Sequence, residues 1–246
     1  AIGSQALYNN STASNNTAVG YQVLYSNTTG ANNIGFGSPV AGFSSSTLYA
    51  NTTGTQNNAF GSSALGANTT GSENSAFGYL TLLNNTTGNS NTAYGNRSLY
   101  SNTTASQNTA VGYIALQNFV AGYNTAFGAR ALQGSATGSY STAIGYQALY
   151  AYSGTNINDA YGAKSLLNTT SGGYNTAVGF QSVNATTTGA DNTAVGYNSL
   201  QSNTTGIKNV AIGSQAGYTV TTVEGITAVG YQSQYTTNGQ YNTSVG

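Results

Sequence analysis

The stretch Asn-Thr-Ala-Val-Gly-Tyr-Ile-Ala-Leu at residues 108–116 contains the pattern that decides the fold of this chain. Its centre is a small residue, an apolar residue and a glycine, and this tripeptide returns along the whole sequence. Eleven of the fourteen intervals between successive glycines are 17 residues long, two are 16 and one is 24. Self-similarity at a fixed period predicts a repeat architecture. The anchor glycines are Gly3, Gly20, Gly37, Gly61, Gly78, Gly95, Gly112, Gly128, Gly145, Gly162, Gly179, Gly196, Gly213, Gly230 and Gly246.

The residue types in the repeat favour β-strands. Thr, Val, Ile, Tyr and Phe are strand formers, and a unit of this length is shorter than the pair of helices found in helical repeats. We predict one strand over Thr-Ala-Val-Gly-Tyr, as at 109–113, and a second over Ala-Leu-Tyr, as at 148–150. The fold class is an all-β parallel solenoid, or β-roll, of about fourteen rungs, one repeat each. An interwoven trimeric β-helix has the same periodicity and is the alternative.

Alternation along the first strand sorts its side chains into two faces. The Ala and the anchor Gly share one face, and the apolar residue between them lies on the other. We expect the bulky face to pack against the Leu of the second strand. The face of small residues allows close approach of another backbone, and we expect it to form the contact between copies in a homotrimer.

Two further positions of the repeat predict ladders. Asn lies four residues before most anchors and either stacks from rung to rung or satisfies its own turn. Asn-Thr-Thr-Gly is a turn in which the glycine is expected to take a positive φ. Tyr follows many anchors directly, and we expect an aromatic stack there. These aromatic residues are Tyr21, Tyr79, Tyr113, Tyr146, Phe180, Tyr197 and Tyr231.

The longest interval holds the clearest break in the repeat. Aligning that unit from both ends places seven extra residues near 38–44, where the single proline, Pro39, lies. We interpret residues 1–246 as one repeat segment of a longer chain with this loop inserted. Pro39, Val40 and Phe43 are the candidate residues for docking a partner, because breaks in a solenoid often map to a binding face.

Composition excludes several classes of function. Charged residues make up 3% of the 246 residues, the formal net charge is zero, and Cys and His are missing. A nucleic-acid partner needs clustered Lys or Arg, and a membrane-spanning helix needs about 18 apolar residues in a row. Without imidazole or thiol groups, an enzyme mechanism, a cofactor and a metal site are not expected.

The few remaining chemical groups are best explained by structure. Four acids, Glu73, Asp159, Asp191 and Glu224, lie in separate units, so paired-carboxylate catalysis is not expected. The cations two residues after an anchor fit a solvated corner; they are Arg97, Arg130 and Lys164. Asn-x-Ser/Thr triplets match glycosylation acceptors, but we favour turn chemistry for them. Those triplets begin at Asn27, Asn68, Asn85, Asn102 and Asn203.

The unit at residues 108–116, and its near copy at 141–149, resembles repeat regions of phage tail fibres and of bacterial surface proteins that end in an endosialidase-type intramolecular chaperone domain. Its Ala-Val-Gly centre is similar to the head repeats of trimeric autotransporter adhesins. The resemblance implies a homotrimeric extracellular fibre on a virion tail or a bacterial surface. The adhesin repeat is shorter than the unit of this chain, and the resemblance assigns no functional residue.

Four functions follow as hypotheses. The leading one is a structural spacer that holds a recognition tip away from the particle or cell. The alternatives are a shaft that binds cell-surface glycan along its aromatic and Asn ladders, an ice-binding solenoid with a Thr-rich face, and an extracellular self-assembling filament. The expected partner is the chain itself, as a trimer or a filament, with no nucleic acid and no membrane insertion.

Overall fold

The Thr-Ala-Val tripeptide that precedes each anchor glycine forms the regular structure of the chain. In the computed structural model, which describes residues 1–42, 45–134, 137–236 and 239–246, fourteen short strands are present. They are Thr17–Val19 (β1), Ile34–Phe36 (β2), Asn58–Phe60 (β3), Ser75–Phe77 (β4), Thr92–Tyr94 (β5), Thr109–Val111 (β6), Thr125–Phe127 (β7), Thr142–Ile144 (β8), Asn158–Tyr161 (β9), Asn175–Val178 (β10), Thr193–Val195 (β11), Val210–Ile212 (β12), Thr227–Val229 (β13) and Thr243–Val245 (β14).

Two compact units divide the chain. The first, Ala1–Tyr123, contains β1–β6, and the second, Asn124–Gly246, contains β7–β14. Within each unit a strand pairs in parallel with the next strand along the chain, and equivalent residues face each other, as Ala59 faces Ala76 and Ala177 faces Ala194. Each repeat is therefore one rung, and the prediction of a parallel β-solenoid is confirmed. The interwoven alternative is wrong, because these rungs pair with rungs of the same chain.

The core of each rung is formed by the strand alanine and the leucine that follows the anchor. In the rung of β4, for example, Ala76 and Leu82 are completely buried. A buried Leu contributes about 1.5–3 kcal/mol, whereas ordering each residue costs roughly 1–2 kcal/mol of backbone entropy. A rung of 17 residues cannot offset that cost alone, so stability depends on stacking against neighbouring rungs.

The predicted assignment of the two faces is reversed in the structure. The face of small residues points inward, where strand alanines such as Ala59 and Ala110 are fully buried, and the bulky residue after each alanine points outward. The small face therefore cannot be the contact between copies. The physical reason is space: a rung of this size has room for one Leu opposite a strand only if the strand contributes nothing larger than Ala.

The predicted second strand is also wrong, because this segment is a chain of tight turns. In the first unit Gln22 and Leu24 both have a φ of 54°, and the equivalent residues of later rungs share this left-handed conformation. The N–H of Gln22 donates to Ser4 O in the preceding rung, and the N–H of Leu24 donates to Thr47 O in the following one. Because left-handed residues alternate with residues of negative φ, the N–H groups of this corner bond to both neighbouring rungs. These hydrogen bonds offset a conformational cost of about 1–2 kcal/mol per left-handed residue.

An exception to the strand alanine is explained by its neighbour. Gly35 occupies the alanine position of β2, and a Cβ there would lie 2.5 Å from Cγ1 of Val23. Val23 is fully buried at a position that holds Ala6 in the preceding rung and Thr47 in the following one. The larger Val therefore fills the space that Gly35 leaves, and core volume is conserved between the two rungs.

The long repeat keeps its strand pairing across the insertion. Phe36 of β2 faces Phe60 of β3 although the insertion separates them, and the N–H of Leu24 reaches Thr47. Pro39 follows the anchor Gly37 at the position where Gln22 donates its N–H to Ser4 in the preceding rung. A proline lacks that donor, so the ladder of this corner is interrupted where the extra residues begin.

Candidate functional site

The anchor glycines bring successive rungs into backbone contact. Gly61 has a φ of 130°, and a Cβ on it would lie 2.4 Å from the carbonyl oxygen of Gly78 in the next rung. Only glycine fits such a position, because both the dihedral and the space exclude a side chain. The candidate anchors that share this geometry are Gly20, Gly61, Gly78, Gly145, Gly179, Gly196 and Gly230. The candidate anchor Gly112 shares the dihedral, with a φ of 134°. They position the rungs and present no reactive group.

An inner Asn ladder runs through the asparagines that lie four residues before the anchors. Oδ1 of Asn57 accepts the backbone N–H of Asn74 at 3.1 Å and its Nδ2 at 3.1 Å, and Nδ2 of Asn74 also donates to Gly88 O at 2.9 Å. The rung-to-rung interpretation of these asparagines is confirmed, and the members of the ladder are buried except for Asn16, which is half-buried. It comprises Asn16, Asn33, Asn57, Asn74, Asn91 and Asn108 in the first unit and Asn124, Asn158, Asn175, Asn192 and Asn209 in the second.

The two irregular residues of this position keep part of the pattern. Oγ of Ser141 accepts the N–H of Asn158 at 3.1 Å, so a hydroxyl replaces the amide oxygen. Ile226 donates its N–H to Oδ1 of Asn209 at 3.1 Å but has no side-chain group to pass on. The ladder therefore continues through a rung that supplies any side-chain acceptor, as Ser141 does, and it ends at Ile226.

Sequence reasoning missed a second ladder, formed by the asparagines of Asn-Thr-Thr-Gly. Nδ2 of Asn68 donates to Oδ1 of Asn51 at 2.8 Å and to its own turn at Gly71 O, 2.9 Å away. This turn Asn ladder is Asn10, Asn27, Asn51, Asn68, Asn85 and Asn102. In the next rung Phe119 occupies the following position, and among described residues Oδ1 of Asn102 has no donor. The spacing of 17 residues was the signal that could have identified it.

The turn ladder decides between the two interpretations of the Asn-x-Thr triplets. The five asparagines of these triplets are completely buried; they are Asn27, Asn68, Asn85, Asn102 and Asn203. Their Nδ2 groups donate to the turn carbonyl three residues on. A glycan on Nδ2 would require this part of the rung to open, so the turn explanation is correct for the folded chain.

The glycine of this turn is needed for a different reason from the one predicted. Gly54 and Gly71 do not have the positive φ that the sequence suggested. A Cβ on Gly71 would instead lie 2.4 Å from Oδ1 of Asn68 and 2.5 Å from Gly88 O. Close approach of the turn ladder and the next rung, rather than a left-handed backbone, therefore requires glycine here.

The outward face of the strands in the first unit carries an apolar column. It consists of the residues directly before the anchors, Val19, Phe36, Phe60, Phe77, Tyr94 and Val111. The rings of Phe36, Phe60 and Phe77 stack in parallel at centroid distances of 4.9 and 4.8 Å, and Tyr94 continues the stack at 4.5 Å. Phe36 and Tyr94 are 36% and 43% exposed. Sequence reasoning had assigned these residues to the core.

The tyrosines directly after the anchors lie at the surface, as Tyr113 does, but most of them do not stack. Phe180 and Tyr197 stack at 5.8 Å, because these are the adjacent rungs in which both residues at this position are aromatic. A different position holds the stack Tyr8, Tyr25 and Tyr49, with spacings of 5.2 and 5.3 Å. The predicted aromatic stack is thus confirmed at one pair and occurs elsewhere at positions that were not predicted.

Charged groups lie at the corners of the rungs. Oγ of Ser90 donates to Glu73 at 2.9 Å, and the Arg97 guanidinium lies 5.9 Å from the ring centre of Tyr100. Arg97, Arg130 and Lys164 have left-handed backbones at the corner two residues after the anchor, as the sequence indicated.

The ion pair of the second unit joins two adjacent rungs. Nζ of Lys208 donates to Oε1 of Glu224 at 2.9 Å. This hydrogen bond lowers the pKa of the Glu224 carboxyl below its ordinary value and raises the pKa of Lys208 above its own. Both groups are in contact with solvent, so the pair contributes little to stability.

The candidate partner loop is only partly described. Pro39 and Val40 are half-buried, whereas Ala41 and Gly42 are exposed. Gly42 has a φ of 88° with no atom within 4 Å of a Cβ placed there. Phe43 lies outside the described residues, so its place in the loop stays a prediction.

Within the described ranges there is no group of three metal-ligating side chains. None of the described residues belongs to a helix with the length and hydropathy needed to cross a bilayer. Comparison with protein-family models, curated proteins and solved structures finds no match for this chain.

Proposed function

We propose that this chain is a structural spacer of an extracellular fibre, in a viral tail fibre or a bacterial surface adhesin, that holds a recognition tip away from the particle or cell. The observation that carries the proposal is the repeated use of the same side chains to join rungs. Asn74 bonds to Asn57 below and to Asn91 above, and Leu82 fills the same core position as Leu65 and Leu99.

A spacer of this kind gains length by adding rungs. Stacked rings in the first unit are 4.5–5.3 Å apart, close to the strand spacing of about 4.8 Å. Each rung contributes its own core residues and its own ladder amides, so an extra rung adds bonds without changing those beside it. The neutral and polar turns fit exposure to the external medium, and association of copies as a homotrimer belongs to the same proposal.

The test combines length and binding. Duplicating the four complete rungs at residues 58–124 is expected to lengthen the particle seen by electron microscopy by about 19 Å. The unchanged chain is expected to show no saturable binding to a panel of polysaccharides and bacterial surface glycans. Tight and specific binding to one glycan would contradict the spacer and assign recognition to the shaft.

Glycan binding along the shaft is the second candidate, and one observation favours it. Phe180 and Tyr197 stack in adjacent rungs with 44% and 51% of their surfaces exposed. Aromatic rings presented in this way can receive the apolar face of a sugar. If glycan binding is found, Phe180→Ser with Tyr197→Ser should abolish it, whereas Tyr25→Ser with Tyr49→Ser should leave it unchanged.

A further inference from the structure

The apolar column of the first unit is not used by the core of that unit. The inward positions of β1–β6 are filled by alanines and Gly35, with leucines behind them, so the stacked rings of Phe36, Phe60, Phe77 and Tyr94 lie on the opposite side of the strands. Phe60 and Phe77 are half-buried by their neighbours in the stack, and the rest of each ring faces outward.

The column approaches in size the largest apolar patch of an ordinary soluble monomer, and such patches often mark an interaction site. Soluble monomers rarely expose a contiguous apolar patch of more than a few hundred Å². A Phe or Tyr side chain presents about 150–250 Å² when it is fully free. Phe36 and Tyr94 are about two-fifths exposed, and Phe60 and Phe77 are half-buried, so the four rings together present roughly 200–300 Å². Val19 and Val111 extend the column at either end, and the stack is continuous through four successive rungs.

The residues beside the column make the same face uncharged. Two residues earlier in each strand, and on the same side, lie Thr17, Ile34, Asn58, Ser75, Thr92 and Thr109. None of them carries a charge, although Glu73 and Arg97 are available at the corners of the same unit. Another sheet can therefore approach this face without desolvating an ionised group, which is a large cost at interfaces.

We propose that this face, formed by the outward side chains of β1–β6, is the surface on which a second copy of this chain docks. A second copy matches this face because its side chains repeat at the same strand spacing. Side chains that repeat at the strand spacing interdigitate with a facing sheet of the same spacing, as in the dry interfaces of stacked strands. A partner with another spacing would lose this interdigitation within a few rungs. A second copy of the chain keeps it, because its strands have the same spacing.

The area fits a modest but specific contact. Together with the two valines and the uncharged flanking residues, the rings offer several hundred Å². This area is below the roughly 800 Å² per partner of a standard interface and fits a weaker contact. The second unit has a column of its own at the equivalent position, including Ile144, Val178, Val195 and Ile212, each more than a third exposed. There the flanking position includes the acid Asp159, so the uncharged face of the first unit is the stronger candidate.

This inference deepens the proposed spacer, since a fibre of several chains needs a lateral contact, and its biological meaning rests on that role. The two can fail separately. Sedimentation reports docking of copies, whereas particle length and glycan binding report the spacer, and a monomeric chain could still act as one.

Sedimentation equilibrium of the full chain tests the proposal. Wild type is expected at two or three times 24.9 kDa, and Phe60→Thr with Phe77→Thr should raise the dissociation constant at least about tenfold. Threonine keeps the strand preference and removes both rings. The matched control, Tyr25→Thr with Tyr49→Thr, removes two stacked rings from another position and should leave the mass unchanged. Circular dichroism verifies that both variants fold.

Two results would overturn the proposal: a wild type that stays monomeric at several hundred micromolar, or a Phe60/Phe77 variant that associates as wild type does. If that double variant misfolds, a nitroxide on Phe60→Cys replaces it, because the chain has no other cysteine. The label at 60 should become immobilised as copies associate, while a label on Thr87→Cys at the exposed turn should stay mobile. Equal mobility at both sites in the associated state would also contradict the proposal.

Discussion

Oδ1 of Asn74 accepts two hydrogen bonds from Asn91, one from its backbone N–H at 3.0 Å and one from its Nδ2 at 3.1 Å. One side-chain oxygen thus fixes both the main chain and the side chain of the next rung. Because the same arrangement recurs at Asn57 and Asn33, each rung of the first unit presents a ready template for the next one.

Asn74→Ala should be strongly destabilising. It leaves the buried N–H of Asn91 without an acceptor, which costs about 1–3 kcal/mol. It also removes one of the two side-chain donors to the carbonyl of Gly88, which keeps Nδ2 of Asn85. We expect the free energy of unfolding, measured with denaturant, to fall by about 2–4 kcal/mol. Asn74→Ser is the matched control and should lose less, because Ser141 shows that a hydroxyl can accept the N–H of the next rung. Equal losses for both variants would show that the acceptor is not what matters.

A substitution at an anchor should separate backbone strain from close approach. Gly61 has a φ of 130°, and the Cβ of an alanine there would lie 2.4 Å from Gly78 O. Gly42 has a φ of 88°, and the Cβ of an alanine there would have no atom within 4 Å. Gly42→Ala should cost about 1–2 kcal/mol from the dihedral alone. Gly61→Ala should cost several times as much, or prevent folding, and thermal melts compare the two. Similar melting temperatures would mean that the contact between rungs relaxes easily.

Gly35 and Val23 should be energetically coupled. Gly35→Ala places its Cβ 2.5 Å from Val23 Cγ1, and such overpacking costs about 1–3 kcal/mol. Val23→Ala alone leaves a cavity and should also destabilise. The double variant restores the Ala–Ala arrangement of other rungs, so its loss should be smaller than the sum by about 1–3 kcal/mol. Strict additivity in denaturant unfolding would contradict the compensation.

The ion pair predicts a pH dependence with a definite sign. Since Lys208 lowers the pKa of Glu224, the pair stabilises the fold above the unfolded pKa of about 4.3, and this contribution is lost as the pH falls through the lowered value. A carboxyl titration followed by NMR should give a midpoint below the ordinary one. Lys208→Gln should move the midpoint of the Glu224 titration upward. Added salt should shift it in the same direction by a smaller amount, because salt screens the pair. An unchanged midpoint in Lys208→Gln would show that the pair does not form in solution.

The spacing of the repeat indicated which residues stack on each other, but it did not indicate whether their side chains point inward or outward. The Asn position before the anchors offered the inner ladder as one of two interpretations, because a residue repeated at each rung can bond to its copy in the next rung. The outward direction of Phe60 and Phe77 could not be predicted, since both faces of Thr-Ala-Val-Gly repeat equally well. Which face is inside depends on the room left by Leu65 and Leu82, and this is a property of the closed rung.

The sequence by itself determined the rung, its length of 17 residues and its parallel register, because an anchor glycine that tolerates no Cβ must recur wherever rungs touch. Tertiary structure alone decided how the rung closes. The left-handed turns at Gln22 and Leu24 oppose the intrinsic preference of both residues. They form because this geometry bonds the corner to both neighbouring rungs, and no short stretch of sequence contains those neighbours.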